Sequence, residues 1–136
     1  MLPQKFPDQN TKHMYSKNKN KTCYLLACGP SIKNQDLSKI KDNPCVSISN
    51  FFVHDIFSKL NIKYHVFGAR HTPITERMYL NWMLEASHKI NPQTNILISD
   101  LDRKLFKENK IFAKHNLIFW SYLSKNKKFL FAILHK

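Results

Sequence analysis

The sequence predicts an α/β domain, a three-layer sandwich around a mainly parallel sheet of about five strands. Three observations predict it. Short apolar runs recur along residues 22–123, too short to be buried helices. Stretches with apolar residues at helical spacing separate them, which is the alternation of βαβ units. Both glycines of the chain, Gly29 and Gly68, directly follow such a run, where a strand gives way to its connection.

Taken in order, residues 1–21 are polar, rich in lysine and asparagine and without period, so they read as a flexible basic leader. Cys23-Tyr24-Leu25-Leu26-Ala27-Cys28 is a continuous apolar run ending at Gly29-Pro30, the pattern of a central strand covered on both faces. Ser31 or Asn34 is placed to cap a short helix around Asp36 to Lys41. Cys45 to Ser49 reads as the second strand. Phe52, Val53, Ile56, Phe57 and Leu60 have the spacing of a helix. Tyr64 to Phe67 is a third strand closed by Gly68. Thr72-Pro73 has the signature of a helix start, and Ile74, Met78 and Trp82 lie beside Tyr79, Met83, Ala86 and Ile90 on adjoining helical rows. Asn91-Pro92 stops that helix. Asn95 to Ile98 is the fourth strand, Leu101 to Lys110 a helix, and Leu117 to Trp120 the fifth strand. Ser124 to Lys136 forms a basic and apolar tail in which Phe129 to Leu134 are all apolar. Such a run is expected to pack on the domain, join another subunit or touch a membrane surface.

Composition narrows the partners. The chain of 136 residues has 22 Lys plus Arg against 9 Asp plus Glu, a net charge of +13. More than half of that excess lies in residues 1–21 and 124–136, as suits tails at an anionic membrane surface. Nucleic acid is not favoured, because no helix carries a dense Arg/Lys stripe. Cys23, Cys28 and Cys45 form no C-x-x-C pair, so neither a disulfide framework nor a structural zinc site is expected. Buried thiols in a reducing cytoplasm are the simple reading of Cys23 and Cys28. No secretory signal and no membrane span is visible.

The carboxyl ends of parallel strands are where ligands collect, near a point where strand order reverses. Gly29 lets backbone approach a ligand, Pro30 fixes the turn, Ser31 offers a hydroxyl, and the helix expected after it presents N–H groups to an anion. The plain alternative is a tight turn with a serine cap. Asn50 ends the second strand, as a ligand-facing amide or as the cap of the next helix. Gly68, Arg70 and His71 follow the third strand and suit a phosphate or carboxylate, or form an exposed loop. Asp100 and Asp102 have the spacing of a metal-binding D-x-D, yet Ser99 and Asp100 are ordinary caps for the next helix, and no metal site is assigned. His65 and His88 read as structural. No cofactor is expected.

Leu26-Ala27-Cys28-Gly29-Pro30-Ser31-Ile32, Asp36-Leu37-Ser38 and Ser49-Asn50 together resemble the opening of a group of bacterial Rossmann-like proteins. These are the motility-accessory-factor and hydroxymethylpterin-pyrophosphokinase-like proteins and the CMP-sialic-acid-dependent sialyltransferases. The resemblance covers roughly residues 22–70. It implies a Rossmann-like domain over 22–123 that binds a nucleotide-sugar, with Gly29, Pro30, Ser31 and Asn50 touching the nucleotide. Ala27-Cys28 stands where the family has Gly-Asn, and Phe51 stands where the sialyltransferases have a polar amide. The second half of such enzymes has no counterpart here, so a truncated member is expected. Two readings follow. One is a cytoplasmic glycosyltransferase-like protein of cell-surface glycan synthesis, peripheral at the inner membrane, with His71 as the base. The other is a non-catalytic nucleotide-binding module or inactive remnant.

Overall fold

The computed structural model describes residues 22–120. The leader expected at 1–21 and the tail expected at 124–136 lie outside the described residues. Five strands form one sheet: β1 (Tyr24–Leu26), β2 (Cys45–Ile48), β3 (Ile62–Val66), β4 (Asn95–Ser99) and β5 (Leu117–Trp120). All four pairings are parallel, and the strands lie side by side in the order β1-β2-β3-β4-β5. The expected α/β class with a five-stranded parallel sheet is therefore present. Among the described residues no helix is long and apolar enough to cross a membrane.

The connections are shorter and tighter than expected. Two helices are α-helical, α1 (Glu76–Lys89) and α2 (Arg103–Glu108). The others are 3-10 turns, at Pro30–Asn34, Leu37–Ile40, Ser49–Val53, Phe57–Lys59 and Asp100–Asp102. The helix expected over Phe52 to Leu60 is thus two separate turns. His54 breaks it, its backbone extended at φ −73°, ψ 135°. Phe51, Phe52, Phe57 and Leu60 still reach the core, because two short turns can bury the same apolar residues as one helix. The start of α1 is also shifted. Thr75 rather than Thr72 is the cap, its hydroxyl accepting from the Met78 N–H at 3.2 Å. Rotation about the axis follows from that start: Tyr79, Met83, Ala86 and Ile90 are buried, whereas Met78 is 60% exposed.

Strand parity decides the layers. Leu26, Cys45, Ser47, His65, Ile96, Ile98 and Phe119 share one face of the sheet by register. The apolar residues of this face join those of the turns and helices in one core that includes Phe51, Phe67, Phe106 and Phe112. Burying a side chain of that size contributes roughly 1.5–3 kcal/mol. Right-handed crossovers that always step the same way along a sheet put every connection on the same side. The described residues therefore supply two layers, sheet and helices, and the expected cover on the second face is not among them. For the same reason β1 is not central but terminal among the described strands, with Leu25 50% exposed. Cys23 and Cys28 flank this end strand and are exposed, contrary to expectation; Cys45, inside β2, is buried.

Candidate functional site

Because all strands run the same way, their carboxyl ends define one rim. Leu26 pairs with Ser47, Ile48 with Val66, Val66 with Leu97, and Ser99 with Trp120. Gly29, Asn50, Gly68 and Asp100, each just beyond these positions, therefore stand along a single edge, which is the placement expected of the first three. The strand order does not reverse among the described strands, so they do not form the switch-point crevice expected there.

At one end of the rim the first loop is tied to the second strand. The Cys28 thiol donates to the Ile48 carbonyl at 3.2 Å, holding the backbone before Gly29 against the backbone before Asn50. Gly29 occupies the cap position of the Pro30–Asn34 turn with no side-chain cap bond. Its φ of −62° is open to any residue, so its backbone conformation does not require glycine. What glycine leaves is room: a Cβ there would meet only the Ser31 Oγ, at 3.8 Å, and a Cβ at Gly68 would meet nothing within 4 Å. The turn after Gly29 has five residues, too short for the helix N-terminus expected to attract an anion. Ser31 and Asn50 are both exposed, and their capping alternatives are not realised. Ser31 caps no turn, and Ile48 rather than Asn50 precedes the Ser49–Val53 turn. The Ser31 hydroxyl and the Asn50 amide are left to face solvent.

Asn50 is positioned from below. Ser49 has a left-handed backbone, φ 55°, unusual for a residue other than glycine. Its carbonyl accepts from the His65 Nε2–H at 3.0 Å, while His65 Nδ1 accepts from the Ser47 hydroxyl at 2.6 Å. These two bonds fix the tautomer of a fully buried imidazole, and burial pushes its pKa down to about 4. His65 is structural, as expected, but the structure it supports is the turn that presents Asn50. The sequence does carry a signal for this brace. Ser47 and His65 are the polar residues at core-facing positions of neighbouring strands, and buried polar groups find partners.

The third loop is held by Asp102. This carboxylate, 5% exposed, accepts from the Tyr79 hydroxyl at 3.1 Å and from the Arg70 N–H at 3.4 Å. Burial, with the Asp102 charge beside it, holds the Tyr79 phenol protonated well above its ordinary range. The Arg70 guanidinium pairs with Glu76 at 3.0 Å, and Asp100 pairs with Arg103 at 2.6 Å. Asp100 and Asp102 thus serve different partners rather than one cation, and Ser99 caps their turn by accepting from the Leu101 N–H. Among the described residues no group of three or more His, Cys, Asp or Glu could hold a metal. His71 is exposed and its Nδ1–H donates to the neighbouring Thr72 carbonyl, and among the described residues it makes no ion pair with an acid. A shallow depression lined by His54, Asp55, Ser58 and Lys89, among others, lies among residues remote in sequence from Gly29 and Ser31. The chain matches no family model, no curated protein and no solved structure.

Proposed function

We propose that this chain is a nucleotide-sugar-binding, glycosyltransferase-like protein of bacterial cell-surface glycan synthesis, and that the nucleotide sits at Gly29-Pro30-Ser31 and Asn50. The observation that carries the reading is the pair of solvent-facing polar groups, Ser31 and Asn50, on two loops clamped together through Cys28 and Ile48, beside open space at Gly29. A hydroxyl and an amide with no structural duty suit a ribose or base edge. The resemblance of Leu26 to Ile32 and Ser49-Asn50 to the Rossmann-like transferases points to the same residues. A cytoplasmic protein held at the inner membrane by its basic ends fits this chemistry.

One observation favours the second reading, a non-catalytic nucleotide-binding module. Among the described residues no carboxylate pairs with His71, and Arg70 is engaged by Glu76, so the third loop as described supplies neither a poised base nor an unpaired cation. Calorimetry of the full chain with cytidine monophosphate, uridine diphosphate and their sugar conjugates tests both readings. Ser31→Ala is expected to weaken binding by about 0.5–1.5 kcal/mol, the net value of one hydrogen bond. Gly29→Leu is expected to abolish it while leaving the fold intact, since a Cβ there meets only the Ser31 Oγ, at an ordinary contact distance of 3.8 Å. Nucleotide binding without sugar release or transfer would select the module. No binding of any nucleotide would overturn both.

A further inference from the structure

The face of the sheet that points away from the core is largely apolar. Register places Leu25, Val46, Ile48, Val66, Leu97 and Ile118 on it, from all five strands, with Tyr64 and Asn95 toward the amino ends and Ser99 and Trp120 at the carboxyl ends. Leu97 is 9% exposed, Val46, Ile48, Val66 and Ile118 are half-buried and Leu25 alone of the six is exposed, yet none of the six packs in the core cluster of the other face. A purely parallel sheet is stable when both faces are covered. Apolar residues on a face that the described crossovers leave open call for a covering segment.

We propose that the third layer is the chain's own C-terminal segment, with Phe129 to Leu134 laid across this face. The argument is one of chemistry and reach. The segment begins immediately after Trp120, at the carboxyl end of β5. Eight residues, 121–128, precede the apolar run, and extended they reach roughly 26 Å. Five strands span four spacings of about 4.8 Å, roughly 19 Å in all, so the run can arrive over any strand. Phe129-Leu130-Phe131-Ala132-Ile133-Leu134 contains no polar residue, glycine or proline, while Lys127, Lys128 and Lys136 bracket it with charges that stay in water. By contrast the apolar residues of 1–21 are scattered among lysines and asparagines. Six residues are too few to cross a bilayer. Covalent attachment gives the run an effective concentration on the order of millimolar at its own sheet, ahead of a second copy at ordinary dilution.

The test uses the full chain with uniform isotope labelling. Nuclear Overhauser contacts are expected between the Phe129 and Phe131 rings and the methyls of Val46, Val66, Leu97 and Ile118, unchanged over a hundredfold dilution. In a sample mixed from labelled and unlabelled chains, filtered spectra should lose those contacts. If they persist across the mixture, the cover is a second copy and the proposal fails. It also fails if Phe129 to Leu134 touch none of these methyls in solution but become protected on vesicles containing phosphatidylglycerol. A triple variant F129S/F131S/I133S is expected to bind an apolar-surface dye several-fold more strongly than the parent while keeping the core ring contacts of Phe67 and Phe112. Unchanged dye binding would count against the proposal as well.

Discussion

His65 shows how much one side chain settles. Its imidazole is wholly buried between Ser47 and the Ser49 carbonyl, with a pKa about 4 against 6.5 when unfolded. A depressed histidine pKa means that the unfolded chain takes up the proton first. The stability that neutral His65 confers is therefore complete above about pH 6.5 and is lost as pH falls toward 4. The linkage corresponds to about 2 kcal/mol at pH 5. Urea titrations at pH 7 and pH 5 should show that loss in the parent and a flatter profile in His65→Gln. On the rim the expectation is opposite. Asn50→Ala and Ser31→Ala, which remove no hydrogen bond within the protein, should change stability by less than about 0.5 kcal/mol in the same titrations. A change above 1 kcal/mol would mean that these groups have a structural role. The sequence allowed Gly29, Asn50 and Gly68 to be placed on one edge, because strand ends follow from where apolar runs stop. It did not allow the fate of Ser31 and Asn50 to be decided, because a capping residue and a ligand-facing residue have the same identity and differ only in backbone angles.

Among the elements, strands were more legible than their connections. Leu117 to Trp120 is a strand from end to end, and Cys45 to Ile48 and Asn95 to Ser99 fall within a residue of expectation. Period and β-branched content suffice there. The stretch from Phe52 to Leu60 has helical spacing but folds as two turns, since spacing records which residues are buried and not how the backbone closes. Helix α1 depends on the Thr75 cap, where the sequence pointed to Thr72. Thr75→Ala should cost about 1 kcal/mol and Thr72→Ala close to nothing, measured by thermal unfolding. The brace between elements is stronger. Tyr79→Phe removes a hydroxyl that donates to a buried carboxylate, which should cost about 1.5–3 kcal/mol. In Asp102→Asn the Tyr79 hydroxyl keeps an acceptor, so the loss should be smaller. Equal losses would place the energy in packing around the ring instead.

For the whole molecule, the order β1-β2-β3-β4-β5 governs how stability is distributed. Central strands are clasped on two sides, whereas β1 has three paired residues and Leu26 as its sole buried member. Amide exchange should be slowest in β3 and β4 and at least tenfold faster in β1. Equal protection across the sheet would show that β1 gains a further neighbour. The same order also has a temporal meaning. Tyr24 pairs with Cys45, Ser47 with His65, His65 with Ile96, and Ile96 with Leu117, so no pairing reaches back more than about thirty residues. Contacts that close over such short spans form quickly. During synthesis each strand finds the edge it needs already made by the strand before it, and the sheet can grow outward from the ribosome in the order in which it is translated.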